Sequence, residues 1–101
     1  WEREPNDAQS RMPNLSDIAK ILDERGDRYG AFVGTSHIAM SIKRVIDPYQ
    51  LILADDQIEA LHMIANKIGR ILNGDPNYAD SWADIAGYAK LVADRLEAEN
   101  V

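Results

Sequence analysis

The stretch DDQIEALHMIANKIGRILN, residues 55–73, decides the fold. Within it Ile58, Leu61, Ala65, Ile68 and Leu72 recur at alternating steps of three and four, the spacing that gathers apolar side chains on one face of an α-helix. Asp55 and Asp56 fall at the positive end of that helix. Asn73, Gly74 and Pro76 form its stop, with Gly74 read as a left-handed cap.

Working outward toward the C-terminus, Ser81-Trp82-Ala83-Asp84 matches a capping box, and Trp82, Ile85, Ala89, Val92 and Leu96 make a second unbroken stripe running to about Glu97. Two long helices joined by a short loop pack antiparallel at a shallow angle. Ala86, Gly87 and Ala89 would let a neighbouring helix approach closely. The expected core is the sum of the two stripes.

Toward the N-terminus, Asp47-Pro48 ends a helix of residues 31–46 in which Phe32, Ala39, Ile42 and Val45 or Ile46 recur at helical spacing. Residues 47–54, DPYQLILA, are expected to tuck under the bundle, the alternative being a short strand. The first helix spans about 15–25, capped by Asn14, with Leu15, Ile18 and Leu22 on one face and the run GDRYG, residues 26–30, ending it. Residues 1–13 carry no apolar period and read as a flexible arm before a single helical domain, residues 14–101. The fold class is all-α: a four-to-five-helix antiparallel bundle with no significant sheet.

Composition bounds the function. At 101 residues, with 46% hydrophobic and 28% charged residues, the chain has one domain's worth of core. A net charge of −6 argues against duplex nucleic acid as a partner, because affinity for a phosphate backbone comes from clustered Lys and Arg. There is no cysteine, which excludes disulfides and thiolate metal sites and makes the cytoplasm the expected compartment. No stretch approaches the ~20 apolar residues of a membrane span, and no signal peptide is visible. The two fully apolar stripes, with Ile64, Ile71 and Leu91 beside them, give more apolar face than four helices of this length cover, so a homo-oligomer is expected.

ALHMIANKIGRILNGDPNYADSWADIAGYAKLVADRL, residues 60–96, together with ILDERGDRYGAF, residues 21–32, resembles a phage and prophage domain of unknown function, numbered 6378, over about residues 17–97. NGDP and DIAGYA carry the likeness. Where that family's loop before the second helix reads like HGDF, this chain has Tyr29-Gly30-Ala31-Phe32, without the acid. The resemblance implies a phage-related origin, hence the host cytoplasm, and brings no activity. In layout the chain also resembles the all-α nucleotide pyrophosphohydrolases of the MazG and dimeric dUTPase kind. Those enzymes hold Mg²⁺ with an ExxE on one helix and an ExxD on the next, because two Mg²⁺ ions need several oxygen ligands to grip a triphosphate. Here Glu59-Ala-Leu-His62 puts a histidine at the second acid, and Asp80 and Asp84 stand on the following helix. Histidine is a poorer Mg²⁺ ligand than a carboxylate, which weakens the case for turnover.

Glu59, His62, Asn66, Arg70 and Asn73 align as one polar stripe, and Asp80, Asp84 and Tyr88 as another. If the stripes face each other, Glu59, His62, Asp80 and Asp84 form a candidate Mg²⁺ site. The competing readings stay open: the first stripe is simply solvated, Asp84 is a helix cap, and His62 is a surface residue. With only His37 as a second imidazole, a structural zinc site is not expected. Arg28 and Tyr29 on the glycine-flanked run, with Lys67, Arg70 and Tyr88, are the candidate contacts to a phosphate or a base, and Arg44 could serve likewise. Two functions follow as expectations. One is binding of a nucleotide or other small phosphorylated ligand, with Mg²⁺ as the accompanying ion. The other is inhibition of a host defence or replication protein through an acidic surface.

Overall fold

A computed structural model describes residues 14–100. The expected flexible arm, residues 1–13, lies outside the described residues. Four α-helices and one 3-10 helix follow one another, and no strand occurs among the described residues. We label the helices α1 (Leu15–Tyr29), α2 (Phe32–Ile46), α3 (Asp55–Asn73) and α4 (Ala79–Glu99); the 3-10 helix spans Asp47–Ile52. The all-α class read from the sequence is the class observed.

The ends of the helices have identifiable causes. Asn14 Oδ1 accepts the Asp17 N–H at 2.9 Å, and Asp17 Oδ2 accepts the Asn14 N–H at 3.5 Å, a reciprocal capping box that starts α1. Gly26 does not end α1 as expected; the helix runs on to Tyr29 and stops at Gly30, whose φ of 77° only glycine adopts freely. Pro48 ends α2 and starts the 3-10 helix. Gln57 Oε1 accepts the Ala54 N–H at 2.8 Å and opens α3. Gly74, which closes α3, has φ −134° and so is not the left-handed cap expected; the backbone of Arg28 and Tyr29 lies directly against it.

Helix α3 is the central element. It packs on α2 along one flank and on α4 along the other, while α1 meets α2 and α3 more lightly. On the α2 flank the backbones come close because Gly69 has no side chain: a Cβ there would lie 2.7 Å from the Thr35 carbonyl oxygen. Asn73 Nδ2 stands 2.9–3.1 Å from the carbonyls of Tyr29 and Ala31 and from Thr35 Oγ1, tying the α1–α2 turn to the end of α3. On the α4 flank, Lys67 pairs with Asp84 at 3.1 Å and Asp56 with Arg95 at 2.5 Å. The start of α3 thus meets the end of α4, so the two run antiparallel.

This arrangement corrects the expected core. Ala65 is fully buried, with Ala39, Ala60 and Ile71 close behind, but Leu72 is 68% exposed and Trp82 55% exposed. Leu61 and Ala89 are exposed, and Ile58, Ile68, Ile85 and Val92 are only half-buried. On a helical wheel the α2-facing positions of α3 (Gly69, Asn73) and its α4-facing positions (Asp56, Lys67) lie roughly 130° apart at about 100° per residue. The stripe Leu61, Ile68, Leu72 falls between them, on an open face of the α2–α3–α4 layer. Of the segment 47–54, Leu53 tucks in half-buried beside Ala60 and Leu61, whereas Leu51 and Ile52 are exposed.

Candidate functional site

On the face of the layer opposite the apolar stripe, the C-terminal half of α1 lies across α2 and α3 and encloses a half-open groove of about 790 Å³. That volume is within the range of small-molecule sites. Three cations line it: Arg25 from α1, Lys43 from α2 and Arg70 from α3. Tyr29, Ser36 and Asn66 add an aromatic ring and neutral polar groups, and Leu22, Phe32 and Met40 supply apolar wall. Among the described residues no Asp or Glu lines the groove. In a chain with 17 acids against 11 Lys and Arg, this groove carries the minority sign.

Local structure explains the placement. Tyr29 is the last residue of α1, and the sharp turn at Gly30 swings its ring onto α3, where the Arg70 guanidinium lies 4.6 Å from the ring centre. Arg70 is four residues beyond Asn66, so both project from the same face of α3 toward α1. Among the described residues none of Arg25, Lys43 and Arg70 forms a salt bridge to a carboxylate.

The other sequence candidates are placed elsewhere. Arg28 turns out of the groove onto Tyr78, its guanidinium 4.7 Å from the ring centre and its Nη1 donating to the Tyr78 hydroxyl at 2.9 Å. That hydroxyl donates to Asp80 Oδ2 at 2.8 Å, which holds the Tyr78 phenol above its ordinary pKa. The Tyr78 ring meets Tyr29 edge to face, 6.1 Å between centres, so Arg28, Tyr78, Tyr29 and Arg70 form one stack that anchors α1 beside the α3–α4 loop. Lys67 is buried against Asp84, and Tyr88 stands half-buried on α4 rather than in the groove.

The two polar stripes do not face each other. Glu59, Asn66 and Arg70 lie on the groove side of α3, whereas Asp84 points into the α3–α4 contact, where Lys67 takes it. Asp80 is engaged by Tyr78, Glu59 is exposed and His62 is half-buried. Among the described residues no three acids or imidazoles come together as a group that could hold a metal ion. The structure thus does not bring Glu59, His62, Asp80 and Asp84 together as one cluster. Nor does Asp84 cap a helix: α4 begins at Ala79, two residues before Ser81, which is buried inside the helix. Arg25 and Lys43 went unrecognised in sequence. Arg25, one turn before Tyr29, offered a local signal, whereas Lys43 reaches the site only through the packing of α2 on α3.

The fold and groove define a class: a small all-α protein with a cationic, aromatic-edged cleft on one face of a helical layer. Its family is equally definite. The model of a domain of unknown function, DUF6378, matches residues 15–96, and the chain belongs to that family. No curated protein matches the chain, and neither does any solved structure. No helix is long and apolar enough to cross a membrane among the described residues.

Proposed function

We propose that the chain binds a nucleotide or another small phosphorylated ligand in the groove between α1, α2 and α3. The observation that carries this reading is the groove's charge: Arg25, Lys43 and Arg70 line it with no salt bridge to a carboxylate among the described residues, in a chain of net charge −6. Guanidinium groups match phosphate oxygens in pairs of hydrogen bonds, and Lys43 adds a point charge. Tyr29 and Phe32 border the same space and offer rings to a base, with Ser36 and Asn66 available for its polar edge. The phosphates are held by the chain's own cations, so Mg²⁺ enters only as an ion that accompanies the nucleotide. The role in this reading is binding. The chain acts as a homo-oligomer, for the reason developed below.

Titration calorimetry with nucleoside mono-, di- and triphosphates, in chelator and again with Mg²⁺, tests this. Binding is expected in chelator, with Arg70→Ala raising Kd at least tenfold, the loss of one charge-assisted pair. Absence of heat across the panel, or binding indifferent to both Arg70→Ala and Lys43→Ala, overturns it.

A further inference from the structure

The open face of the α2–α3–α4 layer carries no charged residue along the stripes that form it. From α2 come Ile38, Ile42 and Val45; from α3 come Leu61, Ile68 and Leu72; from α4 come Trp82, Ile85, Ala89, Val92 and Leu96. Helical positions place all of these on the side of the layer away from the cationic groove. Leu53, Ala60, Leu61, Ile64, Ala89 and Val92 already outline an apolar depression of about 310 Å³ where α3 meets α4. Among the described residues no large apolar side chain is fully buried, so one layer of helices does not make a closed core.

We infer that a second copy of this chain stacks on that face, layer to layer, and supplies the missing half of the core. Three observations select this occupant. The area is right: the stripes leave on the order of 700–900 Å² of apolar surface open per protomer, counting about 180 Å² for a fully exposed large side chain, against the ~800 Å² per partner of a stable interface. The chemistry is right: the patch lacks charge at its centre, as homodimer interfaces do, whereas a surface that engages a separate soluble partner is more polar. The electrostatics permit it: with net charge −6 per chain, like chains repel, but among the described residues no charged side chain lies on these stripes. A two-fold axis across the face makes the contact self-complementary and leaves the cationic groove of each copy on the outside.

The inference does not depend on what the groove binds, and its test needs no ligand. Sedimentation equilibrium on the wild-type chain is expected to give twice the chain mass at micromolar concentration. Leu72→Glu, at a position already exposed in the protomer, is expected to weaken association at least 100-fold with the helical circular dichroism retained. Should that variant fail to fold, a mixture of ¹³C-labelled and unlabelled wild-type chains decides: isotope-filtered spectra are expected to show intermolecular contacts at the methyls of Leu61, Ile68 and Leu72 and at the Trp82 ring. A wild-type chain that remains a monomer at 200 μM overturns the inference, where ~200 μM lies well above the Kd of a stable interface of this size. So does a dimer whose filtered contacts fall only on α1 or on Leu51.

Discussion

Replacing Asp84 by Asn isolates the contact that holds α4 to α3. Lys67 has a side chain only 11% exposed, and its partner, 3.1 Å away, is 49% exposed. Removing the carboxylate strands an ammonium that water reaches poorly; full burial would make this cost about 3–5 kcal/mol. Because Asp84 is half-exposed, water replaces part of what is lost, and the expected cost of Asp84→Asn falls to about 1–3 kcal/mol. The reverse change is milder. Lys67→Met keeps the aliphatic stem in its slot and frees a carboxylate that solvent already reaches, so it should cost no more than about 1 kcal/mol. The double variant should resemble Lys67→Met rather than the sum of the two, giving a coupling energy equal to the cost of Asp84→Asn, about 1–3 kcal/mol. Urea unfolding, followed by circular dichroism at one fixed protein concentration, reads all four chains, since association would otherwise shift the midpoints. The reasoning fails if Asp84→Asn stays within 0.5 kcal/mol of wild type, below the ~1 kcal/mol lower bound set above, or if Lys67→Met is the more costly change.

Two further outcomes separate local propensity from packing. Gly69→Ala should destabilise by about 1–3 kcal/mol even though alanine is the better helix former, because its Cβ would meet the Thr35 carbonyl and α2 must shift to make room. Gly87→Ala, on α4 with open space around it, should stabilise by about 0.5–1 kcal/mol; equal signs in thermal melts of the two would contradict the close α2–α3 contact. Tyr78 donates to Asp80, which raises its pKa in the folded chain; the unfolded phenol therefore deprotonates first, and the contribution is intact below pH about 10 and lost as pH rises beyond it. Melting temperatures taken from pH 9 to 11 should fall less steeply in Tyr78→Phe than in wild type, and an unchanged slope would remove that hydrogen bond from the account.

Helix positions were legible in sequence because their signals are local. The Asn14–Asp17 box, Pro48 and the steps of three and four through Ile58–Leu72 each act within a turn or two, so residue order alone reveals them. Two local signals nonetheless lost to tertiary contacts. Gly26 sits mid-helix because the anchoring stack at Tyr29 and Arg70 rewards one more turn, and Ser81 is buried within α4 instead of capping it. The role of Asp84 depends on Lys67, seventeen positions earlier, a pairing that no periodicity encodes. Periodicity also states that a face is apolar without stating what covers it. That is why Leu61, Leu72 and Trp82 read as core and yet stand open in the single chain. For the site, Tyr29 and Arg70 were legible as an aromatic and a cation near glycines; their meeting with Lys43 required the fold.

The charge of the chain and the charge of its groove exclude different ligands, and together they narrow the class. A net charge of −6 acts at long range: an extended polyanion that lays many phosphates along the surface meets more acids than bases. At physiological ionic strength such fields fade over about 8 Å, so within the groove the near charges decide, and there all three are positive. A compact anion of two or three negative charges would meet Arg25, Lys43 and Arg70 first. The apolar wall of Leu22, Phe32 and Met40 then separates a nucleotide from inorganic phosphate, since only the former has a base to bury there. Were two chains to pair through the far side of α3, both grooves would stay open to solvent, so ligand entry and assembly would not compete for surface.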